Sequence, residues 1–293
     1  MTVKPIFFDS FKCIASACTD TCCKGWEIDV DGDTLEFYNS LDGDLGEFIR
    51  NKLIHNSDGV KLCLEGERCR FLREDNLCEM IIRLGEGALC DICREHPRFY
   101  SESDSICEVG VGLCCPEATR LWLSTPSEFA FEDDGYVLSE EEKSSLSRQM
   151  EVIEYLANGV GTLGERLYVL LGGGDCSGEA YGKLRALYLT LEALDANFCD
   201  SFSEGVPSAL DARYNSLAVY FVFRYWFLLG EELCIKFTAA SLIMIAAMVG
   251  ELEASAKDYS KEVEYDTDNL ERIYELLERI DGLGSLCRDV FSK

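Results

Sequence analysis

Four runs decide how this chain is read: CIASACTDTCC at residues 13–23, CRFLREDNLC at 69–78, CDICREHPR at 90–98 and CEVGVGLCC at 107–115. Twelve of the sixteen cysteines fall between Cys13 and Cys115. The opening MTVKPIFFDSFKC carries neither the basic segment nor the apolar stretch of about 7–15 residues that a secretory signal needs, so a cytoplasmic chain is expected. Reducing thiol pools make so dense a cysteine framework a metal holder before a disulfide framework. The adjacent pairs Cys22-Cys23 and Cys114-Cys115 are the feature it shares with disulfide scaffolds.

Cys90-x-x-Cys93 is the local clamp used by zinc and iron–sulfur sites, because two intervening residues let two sulfurs converge on one ion. Cys69 and Cys78 bracket a loop holding the apolar pair Phe71-Leu72. Cys18 and Cys22, four apart, would share one face of a helical turn, with Cys23 pointing elsewhere. Histidine is nearly absent, with only His55 and His96, so the ligands are nearly all sulfur, which suits a four-thiolate zinc site or an iron–sulfur cluster. Between these runs, Trp26, Ile28 and Val30 alternate as a strand does, and residues 34–53 read as helix.

The second half has a different texture. Pro116, Pro126 and the acidic run FEDDG at 131–135 separate a Cys-rich, loop-rich metal-binding region (1–125) from a helical bundle (136–293), so the fold class is mainly α, with the first region packed on the second. Ser139 followed by three glutamates supplies a cap and acidic first turn to a helix with Leu146, Met150, Ile153 and Ala157 on one face. Leu184, Leu187, Tyr188, Leu191, Leu194 and Phe198 repeat the helical spacing, as do Leu270, Ile273, Tyr274, Leu277 and Ile280. Residues 214–230 and 231–250 are apolar nearly all round and form the bundle's centre. Neither is a membrane span: Arg224 interrupts one apolar stretch, and the other, 237–250, is short of the ~20 residues a bilayer requires. Cys176, Cys199, Cys234 and Cys287 read as small buried hydrophobes. Arg224, inside YFVFRYWF, needs a structural carboxylate or a ligand carboxylate, such as that of an amino-acid cofactor.

Acidic residues outnumber basic ones by 54 to 27, a net charge of −27. That field repels nucleic acid and anionic membrane surfaces and suits a cationic or lysine-bearing partner.

The run FKCIASACTDTCCKGWEIDVD, then CRFLREDNLC, GEGALCDICREHPRFYS and LCCPEATRLWL, resembles the bacterial flagellin lysine-N-methylase family, whose members show C-x-D-T-C-C-x-G-W, C-x-F-L…L-C and C-x-x-[YH]-P-R segments. The likeness covers residues 11–123, and TLGERLYVLL and YNSLAVYFVFRYWFLL resemble the family's helical half more loosely. The cysteine pattern alone is also that of small zinc- or iron-chelating CxxxCC proteins. The resemblance implies methyl transfer from S-adenosylmethionine to lysines of flagellin or another lysine-bearing protein, with an iron–sulfur cluster, a [4Fe–4S] type or zinc in its place, in the Cys-rich half. The matching ligand positions are Cys13, Cys18, Cys22, Cys23, Cys69, Cys78, Cys90, Cys93 and Cys114. A [4Fe–4S] cluster takes only four of them. A metal-chelating or electron-transfer module without methyl transfer is the alternative.

A nucleotide-type donor site needs a strand, a glycine-rich turn and a helix. The candidate LYVLLGGGDCSG, 167–178, follows LGER, which reads as helix, so the glycines read as a helix stop. No C-x3-C-x2-C triplet occurs either: after Cys18 and Cys22 the next required position is Gly25. A lysine amine with an ordinary pKa near about 10.4 must lose a proton before it attacks a sulfonium methyl, so a base is needed. Asp20, Asp29, Asp31 and Tyr100 are the candidates, Asp29 and Tyr100 foremost, with Arg224 for the cofactor carboxylate. His96 is a ligand, a substrate-orienting group or a surface residue.

Overall fold

The computed structural model describes residues 1–57, 59–125, 127–174 and 179–292. Pro126, Cys176 and Gly178 lie outside the described residues. The chain divides into two compact units, residues 12–99 and residues 1–11 with 100–293. The division therefore does not fall between 125 and 136. The opening residues form a strand of the second unit, and its sheet also takes residues 106–111 out of what was read as the Cys-rich region and 129–132 from just beyond it. The structure is mainly α.

In residues 12–99 the helical run splits in two, Gly32–Ser40 and Gly43–Arg50, because Leu41 turns extended (ψ 124°) before Asp42 and Gly43 restart the helix. Asp31 caps the first helix, its Oδ1 accepting from the Thr34 amide at 2.8 Å, which satisfies an amide that the helix leaves without a partner. Its Oδ2 accepts from the Asp91 amide at 2.9 Å, tying this helix to the short one at Asp91–Glu95. The chain then forms the hairpin Leu53–Asn56 with Gly59–Leu62. Trp26, Ile28 and Val30 do turn inward while Glu27 and Asp29 stay exposed; the segment borders that hairpin through the Asp29–Lys61 bridge without forming a longer strand. Val30, Tyr38, Ile49, Leu62, Phe71 and Met80 make the core, with Cys69 and Cys90 buried among them. A small, thiol-containing core of this kind leaves much of the unit to loops.

In the other unit a four-stranded sheet runs in the order Arg98–Ser103, Ile106–Val111, Thr2–Pro5, Phe129–Glu132. Thr2–Pro5 is parallel to Ile106–Val111 and antiparallel to Phe129–Glu132. Pro116 starts the helix Pro116–Ser124, where its missing N–H costs nothing. Ser139 and Glu142 form a capping box on Glu140–Asn158, whose buried face is Leu146, Gln149, Val152, Ile153 and Leu156. Tyr214–Leu229 and Glu231–Ala247 are the buried centre, joined at Gly230, whose φ of +73° suits the abrupt turn. None of the described helices is long and apolar enough to cross a membrane.

The spacing from Leu184 to Phe198 does not produce one helix: Glu179–Tyr188 stops, and Leu194 is exposed. Side chains from elsewhere in the bundle take over the backbone there. Asn269 accepts from the Glu192 amide and donates to its carbonyl, and Glu262 accepts from the amide of Leu194 at 2.6 Å. Those bonds replace the intrahelical ones and hold an irregular loop.

Glu108, fully buried, takes a 2.7 Å hydrogen bond from Gln149 Nε2, while its own Oε2 finds no partner among the described residues. Burial therefore pushes its carboxyl well above the usual 4.5, with Gln149 opposing weakly. The folded chain binds this proton more tightly than the unfolded one, so the group's stabilising share is full below about pH 4.5 and is lost as pH rises toward the folded value. Glu108→Gln keeps the shape without that loss. Its melting temperature should exceed the parent's by a margin that is larger at pH 8 than at pH 5, read by circular dichroism.

Candidate metal centre

Backbone pairing brings some of the sulfurs of residues 12–99 near one another. The Cys69 amide donates to the Cys23 carbonyl at 2.9 Å, and the Gly25 amide to the Glu67 carbonyl, so the CC run lies alongside Arg68-Cys69. Nine residues further on, a tight loop returns the chain: the Arg73 amide bonds the Leu77 carbonyl, Asn76 takes a positive φ of 59°, and the Glu79 amide bonds the Phe71 carbonyl at 2.8 Å. Cys78 thereby becomes the cap residue of the helix Glu79–Leu84, and Cys90 occupies the same position on Asp91–Glu95.

Neither Cys78 nor Cys90 makes a side-chain cap hydrogen bond, but nearby backbone amides favour the anionic form of each sulfur: that of Phe71 at Cys69, those of Ile81 and Met80 at Cys78, and that of Cys93 at Cys90. Oriented amides favour the anionic form of sulfur, and this is how a protein prepares a buried site for thiolate. Burial acts the other way and dominates at two sites: it pushes the Cys69 thiol up to about 11 and raises Cys78. The remaining thiols share protons in pairs. Cys23 is lowered to about 6, first by the hydrogen bond from Cys22. Cys90 is lowered by its bond from Cys93, whose own thiol is raised. Cys93 also feels the charges of Cys22 and Cys23, and Cys78 those of Cys23 and Cys90. The sulfurs thus pair two by two; among the described residues, no three Cys, His, Asp or Glu side chains converge in ligating geometry.

The other ligand candidates are distributed differently. Cys18 follows the short 3-10 turn Ala15–Ala17 in extended conformation (ψ 129°), and no helical turn links it to Cys22, so the two do not share a helix face. Its thiol bonds the Asp20 carbonyl at 3.0 Å. Cys13 is exposed. Cys114 belongs to the other unit, buried beside Tyr265 and Arg224; burial pushes its thiol up to about 12, with Tyr265 and Arg224 opposing. His96 is desolvated and its imidazole held down at about 4, hence neutral.

Asp31 is a structural cap, its carboxylate held low by the Asp91 and Thr34 amides against some desolvation. Asp29 is exposed at the edge of the hairpin, 4.0 Å from Lys61 Nζ, which Glu27 holds at 2.5 Å. Tyr100 is exposed on the first strand of the sheet, in the other unit. Arg224 has a structural carboxylate: its Nη1 lies 3.3 Å from Glu264 Oε1 and 2.6 Å from the Tyr220 hydroxyl, and Glu264 also accepts from the hydroxyls of Tyr220 and Tyr225. Nothing local in the sequence singles out Glu264. The glycine stretch follows the helix Leu163–Leu170, as its helical reading requires, with Gly172 and Gly173 at φ of +76° and +79°; 175–178 lie outside the described residues. Of the bundle cysteines, Cys234 and Cys287 are buried small side chains and Cys199 is half-buried.

Flagellar biosynthetic protein FliU of Salmonella muenchen is 34% identical to this chain over 134 residues, which cover 43% of this chain and 79% of that one. The lysine-N-methylases of Salmonella typhimurium and Salmonella choleraesuis are 33% identical over 137 residues. The chain belongs to the flagellin lysine-N-methylase family. The match spans 44% of this chain and about a third, 34%, of each lysine-N-methylase. No protein-family model matches the chain, and no solved structure does.

Removing one partner of a buried ion pair leaves the other uncompensated and costs about 3–5 kcal/mol. Glu264 is fully buried and Arg224 nearly so. Glu264→Ala should therefore lower unfolding stability by about that amount in a urea titration, whereas Glu264→Gln, which keeps acceptors for the two tyrosine hydroxyls, should lose less.

Proposed function

We propose that this member of the family is a protein-lysine N-methylase acting on flagellin or another lysine-bearing protein, with S-adenosylmethionine as donor and a thiolate-bound metal centre in residues 12–99. What supports the metal part is that Cys23, Cys69, Cys78, Cys90 and Cys93 lie within electrostatic reach of one another in an all-sulfur set. Sulfur is the donor type that a [4Fe–4S] cluster takes, four thiolates at a time, with zinc as the alternative; these thiols pair two by two, so binding would require two pairs to close on one centre. When bound, the group would supply a fixed charge and a rigid cross-link among three segments that otherwise share only a small core.

The chain's own residues have to collect an ammonium and take its proton. A net charge of −27 favours the approach of a lysine-bearing surface. The edge formed by Glu27 and Asp29 already holds one lysine, Lys61, and Asp29 is the base we assign there, with Tyr100 the other candidate. In the transfer, the neutral amine forms a C–N bond as the methyl C–S bond breaks; the donor leaves as a neutral thioether and the base takes the amine proton. Arg224 would act on the donor's carboxylate only by exchanging Glu264 for it.

A second reading, a metal-chelating or electron-transfer module, is favoured by one observation: the glycine stretch at 172–174 follows a helix rather than a strand. Anaerobic purification with iron, sulfide and zinc analysis, then incubation with flagellin and labelled S-adenosylmethionine, separates the two. Label on flagellin lysines and loss of label in Asp29→Asn or Tyr100→Phe support the methylase. Metal without label supports the module, and absence of both overturns the proposal.

A further inference from the structure

The larger unit has a cavity of about 340 Å³ on its helical side. On one wall Glu141, Ser144, Ser145 and Arg148 follow one another at helical spacing along Glu140–Asn158. The facing wall is the turn that joins the two central helices, with Trp226 in the last turn of Tyr214–Leu229 and Glu231 opening Glu231–Ala247. The indole is buried and fixed, its Nε1 donating to Ser145 Oγ at 3.0 Å.

Arg148 and Glu231 meet from the two walls. Arg148 Nε and Nη2 lie 2.9 and 2.8 Å from the same oxygen, Glu231 Oε1, while Nη1 reaches Glu151 Oε2 at 3.3 Å, away from the cavity lining. A guanidinium has five N–H groups, so these contacts leave two of them to donate, and the pair leaves Glu231 Oε2 to accept. Both side chains are nearly half exposed, 44% and 43%, and an ion pair so placed adds little to stability. Fold stability alone therefore does not account for setting it beside a buried tryptophan. The cavity offers a positive donor and a negative acceptor side by side, and Glu141, exposed on the first turn, adds a second carboxylate. An α-amino acid carries its carboxylate and ammonium on one carbon, at a similar spacing and in the opposite sense. A carboxylate alone would face two glutamates, and an ammonium alone would face the arginine; a group with both signs meets neither repulsion. The aromatic floor favours an apolar or cationic side chain on that carbon, a thioether or sulfonium included.

We propose that this cavity binds an α-amino-acid head group, its carboxylate on Arg148 and its ammonium on Glu231, with Trp226 beneath the side chain. One source of that group is the methionine end of S-adenosylmethionine, in which case the site rests on the methylase reading above; the other is a free amino acid such as methionine. Arg224, already engaged by Glu264, is then not needed for the donor's carboxylate. The probes are S-adenosylhomocysteine, methylthioadenosine, which lacks the amino-acid carbon, and methionine, each titrated calorimetrically into the full chain. S-adenosylhomocysteine should bind, and methylthioadenosine much more weakly. A lost hydrogen bond to a charged group lowers affinity roughly 10-fold or more, so Arg148→Met and Glu231→Gln should each weaken S-adenosylhomocysteine by about that factor and leave methylthioadenosine unchanged. Glu151→Gln, which removes the Arg148 partner away from the cavity, should stay near the parent. All three positions are exposed, so the melting curves should coincide. Binding of methionine but not of S-adenosylhomocysteine, with the same loss in Arg148→Met, supports the site and names a free amino acid as its source. S-adenosylhomocysteine bound equally by the parent, Arg148→Met and Glu231→Gln, or no more tightly than methylthioadenosine, overturns this site and leaves the methylase reading standing. A parent chain that binds neither amino-acid probe overturns the site, and label transfer to flagellin then decides the methylase reading by itself.

Discussion

Residues 12–99 depend on one constraint: sulfur has to sit away from water and still be offered hydrogen-bond donors. The alignment of Cys23 with Cys69, and the loop from Phe71 to Glu79 that turns Cys78 back, meet it by using backbone alone. Phe71 and Met80 then shield the sulfurs, so the same residues that make a core also define a low-dielectric pocket of thiols.

The helical unit solves a different problem. Its central helices bury almost every side chain, and the polar groups caught inside have to find each other. Glu264 answers Arg224 and two tyrosines at once; Tyr188, Tyr259 and Ser241 form a chain of hydroxyls at 2.7 and 2.8 Å; Gln149 meets Glu108. A network of this sort costs desolvation but admits only one register of the helices, because any slip strands a charge. Arg224 illustrates how an unusual residue in an apolar run points first to its partner and only then to a ligand.

Much of this was legible, for reasons that differ from place to place. The capped helix at Ser139, the apolar helices on either side of Gly230 and the helix stop at Gly172 follow from local chemistry, which the sequence states directly. The split at Leu41 and the loop after Tyr188 were not legible, since side chains beyond each segment hold the backbone there: Arg50 donates to the carbonyls of Tyr38 and Leu41, and Glu262 and Asn269 capture residues 192–195. The cysteine spacing pointed to a shared neighbourhood, but not to its membership. Spacing four apart suggested a helix face for Cys18 and Cys22, whereas the chain there is extended, and Cys114, alike in its sequence context, is enclosed by the bundle's own polar network. Strand Thr2–Pro5 is too short to show a period, and its partners lie more than a hundred residues on.

The charges follow from the same division. An overall excess of 27 acidic groups acts at long range, where it favours cationic over anionic partners and is screened by salt. A buried contact behaves differently: the Lys52 ammonium, 16% exposed over the Phe48 ring and 3.4 Å from Glu79, is partly desolvated and little affected by salt. The two fields do not conflict, because each acts over a distance at which the other is weak. An acidic exterior can attract a cationic surface while a desolvated contact such as that of Lys52 with Glu79 holds locally. Ionic strength would weaken the first long before it reached the second.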